Sequence, residues 1–371
     1  MNRERTTGHI FGLMEQLAPK ELAYDWDPVG LQVGSYNKPV RTIMVTLDVL
    51  EAVVDEAIEK QVDMIIAHHP LLFKSVRQIN TDTSKGRIIQ KLLHHDITVY
   101  ASHTNLDIAE NGVNDAICNH IGVRQVKPLV DIRTEQLLKL VAYIPLTHVE
   151  QVRDAISEAG AGHIGNYSHC TFQTQGQGTF KPLEGTNPFI GSINQLEKVD
   201  EVKLESIIQE SKLRTALHAL LQAHPYEEPA YDIFPLKNKG KTFGLGRIGK
   251  LDQSLSLEDF CEHIKSVLQI PDLRVTGNLD KQVRTVAVIG GSGEKYIHQA
   301  KQNGADVYIT GDMSFHYAQD AQETGLAVID VGHYAEKVMK TLVKKYLDVE
   351  LKNTDIKIIT STTNTDPFQF I

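Results

Sequence analysis

The stretch from Arg41 to His69, RTIMVTLDVLEAVVDEAIEKQVDMIIAHH, holds an apolar run, an amphipathic run and a second apolar run that stops at two histidines. Short Val/Ile-rich segments around one segment of helical period predict strand, helix and strand, with Val53, Val54, Ala57 and Ile58 turned inward. A run as apolar as Met64-Ile65-Ile66-Ala67 suits a parallel strand buried on both faces. His68 and His69 then sit at the tip of that strand, where open α/β sheets bind ligands. On extended backbone adjacent side chains point opposite ways, so an adjacent pair suits two neighbouring metal ions better than one. Among 16 histidines a pair is no signal by itself. A second pair, His94-His95, follows the helical run Ile88 to Leu93, where cationic side chains suit the helix dipole.

The same order recurs near the other end of the chain. Arg284 to Asp312, RTVAVIGGSGEKYIHQAKQNGADVYITGD, aligns with the first stretch without a gap: Arg41-Thr42 meets Arg284-Thr285, Asp63 meets Asp306, and His68-His69 meets Gly311-Asp312. A third predicted strand follows in each copy, Ile97 to Ser102 ending at His103, and Leu326 to Val331 ending at Gly332-His333. The repeat predicts two pseudo-equivalent αβ lobes with mixed, mostly parallel sheets, whose strand tips converge on one site. Between them the texture changes. Strand, helix, strand, then polar strand, helix, strand, from about Leu138 to Phe234, predicts an inserted ferredoxin-like βαββαβ domain. Residues 1–127 and 239–371 then form the core, and 128–238 the insert.

Composition narrows the function classes. A chain of 371 residues with 41% hydrophobic content is long enough for several packed cores. A net charge of -9 argues against a broad nucleic-acid or anionic-membrane surface. Cys118, Cys170 and Cys261 are scattered, so neither a disulfide framework nor a thiolate zinc site is indicated. No apolar run approaches the ~20 residues that cross a bilayer, and the N-terminus lacks the apolar core of a signal peptide. A cytoplasmic protein is expected.

Chemistry gathers at the predicted tips. His333 follows Asp330 and Gly332, and Glu336 lies three residues on, where one helical face holds both. Asp107 ends the run Ser102 to Asp107 just past a strand, and as a bland alternative caps a helix starting near Ile108. His68, His69, Asp107, His333 and Glu336 together supply three nitrogens and two carboxylates without thiolate. Such a set suits zinc foremost, with manganese, iron, cobalt or nickel as alternatives. Two ions about 3.5–4 Å apart could share a carboxylate and lower the pKa of a water between them. His103, Asp312 and His316 are candidates for orienting ligands or moving protons. Gly290 to Gly293 reads as a tight turn first and a phosphate contact second. The only tryptophan, Trp26, reads as core packing beside a turn at Pro28.

Seven motifs in order carry a resemblance. Trp26-Asp27-x-Val29-Gly30-Leu31-Gln32-x-Gly34, His68-His69-Pro70, His103 to Asp107, Gly244-x-Gly246-Arg247-x-Gly249, Thr310-Gly311-Asp312, Gly332-His333-Tyr334 and Asp366-Pro367-Phe368 resemble the Nif-three-like di-metal proteins, labelled GTP cyclohydrolase I type 2 homologues. The insert, with Gly160 to Ser168 and His224 to Pro229, is similar to the PII/CutA-like domain of the longer bacterial members. The resemblance implies a di-metal site on His68, His69, Asp107, His333 and a downstream glutamate, and homo-oligomeric rings, commonly hexamers. The family's usual spacing places that glutamate four residues after the histidine, whereas here Glu336 stands at three and Lys337 at four. Two readings follow: a metal-dependent hydrolase of a purine nucleotide such as GTP, or a non-catalytic metal-binding regulatory or scaffold protein acting through partners.

Overall fold

The computed structural model describes residues 5–371. The chain divides into two compact units, one taking in the chain up to Arg133 and from Phe243 onward, the other Thr134–Thr242. Both divisions fall inside long strands, Arg124–Pro145 and Tyr231–Ser256, which carry the chain from one unit into the other.

In the first unit, the strands Thr42–Thr46, Met64–Ala67 and Thr98–Ala101 lie parallel, with Lys357–Thr360 parallel beside the first and Gly30–Val33 antiparallel beside the last. The second lobe repeats the three parallel strands, with a different outer neighbour. Gln282–Ser292, Val307–Gly311 and Ala327–Asp330 run parallel, flanked by Arg274–Thr276 and by the Phe243–Ser256 part of the long strand, both antiparallel. Every residue of Met64–Ala67, Val307–Gly311 and Ala327–Asp330 is buried, which is why these runs show no polar alternation. Each fully buried Ile among them contributes roughly 1.5–3 kcal/mol by leaving water.

The equivalence of the lobes reaches single hydrogen bonds. The Asp63 Oδ2 accepts from the Arg41 and Thr42 amides, both at 2.8 Å, and the Asp306 Oδ2 accepts from those of Arg284 and Thr285 at 3.0 and 2.7 Å. The Lys38 ammonium donates to the Asp63 carbonyl, and that of Lys281 to the Asp306 carbonyl. In each lobe an aspartate at the start of the second strand closes the loop back onto the first. The copies differ at the crossover. Glu51–Glu59 is one helix, whereas Gly290 to Gly293 delay its counterpart to a 3-10 turn and the short helix Ile297–Gln302.

The second unit orders its strands as Thr171–Phe180, Glu197–Gln209, Arg124–Pro145 and Tyr231–Ser256. The helices Val149–Glu158 and Glu210–Ala223 pack against them around Leu140, Ile144, Val152, Ile156, Leu204 and Leu220. With first and third strands central and the fourth beside the first, this is the ferredoxin-like order. Among the described residues no helix is long and apolar enough to cross a membrane.

Candidate metal centre

His68 and His69 continue from Met64–Ala67 while their amides still pair with the neighbouring strand segment, on the carbonyls of Thr46 at 3.2 Å and Leu47 at 3.0 Å. That pairing holds the two consecutive rings side by side, their centroids 5.1 Å apart. The rings do not point at random, because each Nδ1 is held by an oxygen. His68 Nδ1 lies 2.8 Å from the Ser102 carbonyl, His69 Nδ1 2.7 Å from Asp48 Oδ1, His103 Nδ1 3.0 Å from Asp27 Oδ1, and His333 Nδ1 2.6 Å from Asp312 Oδ2. A carbonyl or carboxylate at Nδ1 keeps the hydrogen there and leaves Nε2 with its lone pair, the usual way a protein presents imidazole to a metal.

Three of those Nε2 atoms surround one carboxylate oxygen. Glu336 Oε2 lies 3.6 Å from His68 Nε2, 3.2 Å from His69 Nε2 and 3.3 Å from His333 Nε2. Asp107 Oδ1 lies 3.5 Å from His68 Nε2. Ligand atoms of His68, Asp107 and Glu336 are close enough together to share one ion, as are those of His69, His333 and Glu336, and those of His68, His69 and His103. Glu336 belongs to two of the groups and so stands between them. His68 Nε2 and Asp107 Oδ1 are buried without a hydrogen-bond partner. Leaving such atoms unpaired costs about 1–3 kcal/mol each, and a cation between them removes that cost. The donor set therefore fits a metal.

The spacing of Glu336 follows from the local helix. His333–Lys337 is a 3-10 turn, not the α-helical face expected above. Side chains at i and i+3 eclipse there, so Glu336 stands directly over His333. Lys337, at the i+4 position, turns away and donates to the Gln269 carbonyl. Asp107 sits inside the short helix Thr104–Ile108 and does not cap it.

Charge is balanced within the cluster. Burial works against the charged His69 ring, but Asp48 and Glu336 outweigh it and push it up to about 10. Glu336 raises His333 to about 9, against burial and with help from Asp312. Burial opposes the His68 cation too, yet Asp107 and Glu336 raise it. Burial pushes the Asp107 carboxyl up to about 6 against the pull of His68, whereas in Glu336 the surrounding histidines prevail over burial and hold it well below the usual carboxylate range. Binding a cation here displaces protons from imidazole.

Asp48 and Asn114 carry no motif-like signal in the sequence, and Asp27 stands in the Trp26 motif without a role of its own. Asp48 follows the strand Thr42–Thr46 and is anchored by the Thr365 hydroxyl at 2.5 Å. Asp27 is buried, accepts from the Thr104 amide and hydroxyl, and is kept ionised, burial being outweighed by His103 and Thr104. Asn114, fully buried, donates to the Asp107 carbonyl at 2.9 Å and accepts from the Gly290 amide at 2.8 Å, tying a ligand of one lobe to the turn of the other.

That turn spends two of its amides within the protein. The amides of Gly290 and Gly293 are taken by Asn114 and the Thr310 hydroxyl. A Cβ on Gly291 would come within 2.5 Å of Glu336 Oε1 and 3.1 Å of His333 Nε2, so the missing side chain makes room for the cluster. Trp26 is not core either. It is 59% exposed, stacks on Tyr24 and meets the edges of Phe73 and His103. His316 lies exposed on Phe315–Glu323, with Nδ1 3.4 Å from Gln319 Oε1, and joins none of the clusters, whereas His103 belongs to one of them and Asp312 holds the His333 ring. His94 and His95 close the helix Ser84–His94 at the surface. A cavity of about 680 Å³ opens over the centre, with His69, His103, His333, Asp48 and Asp312 on its wall.

Two pseudo-equivalent α/β lobes with imidazoles and carboxylates meeting at their strand tips define a protein with a metal-binding type of site. The chain belongs to the Duf34/NIF3 (NGG1p interacting factor 3) family, whose model matches residues 6–367. It is 49% identical over 364 residues to proteins of Halalkalibacterium halodurans and Bacillus subtilis, in each case covering 98% of both chains. Both are named GTP cyclohydrolase 1 type 2 homolog. Among solved structures, a Bacillus cereus protein related to NIF3 is 48% identical with a TM-score of 0.94, covering 100% of both chains. A Staphylococcus aureus protein is 36% identical with a TM-score of 0.78, covering 99% of both.

Proposed function

We propose that this protein is a metal-dependent hydrolase holding two divalent ions, with His68 and Asp107 on one ion, His69 and His333 on the other, and Glu336 between them. The observation that supports it most is Glu336 Oε2 among three imidazole Nε2 atoms, beside two buried and unpaired ligand atoms. Zinc suits this set of nitrogen and carboxylate donors, and manganese, iron, cobalt and nickel are the alternatives. Ions so held polarise an electrophile and bring the pKa of water toward neutrality. The relatives' names point to a purine nucleotide such as GTP as the type of substrate, with water adding to the imidazole-ring carbon.

The chain's own groups set the geometry. Ser102, Asp48 and Asp312 fix the three rings, and Glu336, 3% exposed on its turn, would serve both ions. His103 faces the cavity with Nδ1 committed to ionised Asp27, so Nε2 is free to take a proton from the nucleophile and return it to a leaving nitrogen. The family resemblance further supports a homo-oligomeric ring, a hexamer, which light scattering on the purified protein reads directly.

Metal analysis of the full chain tests the centre. Wild type should retain about two ions per chain, and Glu336→Gln should lose both because it serves each. Loss of neither would sink the proposal. A metabolite-turnover screen of wild type against His333→Ala tests the reaction. Activity that depends on His333 supports hydrolysis, and silence with metal fully bound favours the regulatory or scaffold reading instead.

A further inference from the structure

The wall of the cavity over the centre has an unusual charge for a nucleotide site. Among the described residues lining it there is no lysine or arginine, while four aspartates, Asp48, Asp272, Asp312 and Asp366, face it. Lys337 and Lys340, on the adjoining turn and helix, give their ammonium groups to the Gln269 and Ser361 carbonyls. The Gly290 and Gly293 amides beside the cluster are committed to Asn114 and Thr310. Much of the remaining wall is apolar, with Leu50, Phe73, Ile270, Tyr334, Phe368 and Phe370. Phosphate chains are ordinarily held by lysine or arginine beside free amides, and the wall offers neither cation.

Bound ions do not reverse this balance. Two divalent cations are matched by the four carboxylates of Asp107, Glu336, Asp48 and Asp312, and Asp272 and Asp366 then add negative charge at the rim. A triphosphate would meet a neutral centre through an acidic mouth. A planar, uncharged body would instead lie against aromatic and aliphatic side chains and leave that rim untouched.

We infer that the cavity takes an uncharged, planar heterocycle, a purine-like base or nucleoside without phosphate, in preference to the purine nucleotide that the relatives' names suggest. This rests on the hydrolase reading for the reaction but not for binding. Equilibrium dialysis on the zinc-loaded full chain, with guanosine, GMP and GTP as probes and the protein's zinc measured alongside, tests it at physiological salt. Guanosine should bind about tenfold or more tighter than GMP, with GTP weakest, as expected for like charges meeting in a partly screened mouth. Asp272→Lys should narrow the gap between guanosine and GMP by strengthening GMP alone. GMP or GTP binding as tightly as guanosine to wild type, a gap unmoved in Asp272→Lys, or no guanosine binding up to about 1 mM would each overturn the inference. Turnover is scored separately. Guanosine bound but not consumed refutes the hydrolase and leaves the ligand class standing.

Discussion

Replacing Gly291 by alanine should empty the metal centre while barely unfolding the protein. Gly291 has φ of +63°, a left-handed conformation that costs an L-residue about 1–2 kcal/mol. The new methyl would also lie 2.5 Å from Glu336 Oε1 and 3.1 Å from His333 Nε2. An ordinary contact needs roughly 3.5 Å, so Glu336 must retreat by about an ångström or rotate away from its three histidines. Displacement on that scale costs a site far more than it costs the fold. Metal affinity should fall about 10–100-fold or more, the penalty for losing a ligand's orienting partner, while stability falls by only ~1–2 kcal/mol.

Gly304→Ala is the matched control. Its φ is +82°, and a Cβ there meets nothing within 4 Å, so it pays the backbone cost without touching the cluster. Metal content by elemental analysis and urea unfolding of the metal-free proteins give both quantities. If Gly291→Ala and Gly304→Ala retain the same metal, the claim that the glycine turn makes room for Glu336 is wrong.

Three other outcomes follow from the structure. Arg247, 3% exposed, grips Asp115 with two hydrogen bonds of 2.8 and 2.7 Å and also donates to the carbonyls of Gly244, Gly246 and Ala109. Arg247→Met strands a largely sheltered carboxylate, its side chain 13% exposed, and should destabilise by about 3–5 kcal/mol in chemical denaturation. A change below ~1 kcal/mol would show the clamp to be idle. Glu56 accepts from Lys60, Ser361, Thr362 and Thr363; these bonds outweigh burial and hold its carboxyl well below the usual range. A depressed folded-state pKa stabilises above the unfolded value, 4.5, and the contribution fades as pH falls through the folded one. Glu56→Gln should therefore be weaker than wild type by ~2–3 kcal/mol at pH 7, with the gap closing in acid; a gap independent of pH contradicts the assignment. Finally, His94→Ala with His95→Ala should leave metal content unchanged, because both sit at an exposed helix end; loss of metal would mean that the wrong pair was chosen.

Much of the fold was legible because buried parallel strands impose a composition that survives in single segments. Met64–Ala67 and Val307–Gly311 are recognisable as short, mostly apolar runs, and the gapless match between their flanks predicts that Asp63 and Asp306 do the same work. Ligand candidates were legible for a related reason. Strand tips are short, so a His or Asp just past an apolar run has few places to point. The roles of Asp48, Asp27 and Asn114 are not legible in the sequence because an aspartate or asparagine in a turn looks the same whether it caps backbone or holds a ring. Trp26 was misjudged for want of context, since the chain does not tell an aromatic packed in the core from one stacked near a cavity mouth.

The sequence by itself determined the two lobes, the insert and the residue types at the tips, because these depend on local pattern and on repetition along the chain. Only the tertiary structure decided what those tips make together. It brought Glu336 to His69 across 267 positions, set a 3-10 turn so that a three-residue spacing would eclipse His333, and cleared Gly291 out of the way. It also revealed a cavity walled by carboxylates and aromatic rings. Distances between residues far apart in the chain, and the charge that surrounds a cavity, arise only when the lobes pack. The histidine pair at the strand tip therefore acquires its chemistry from the opposite lobe.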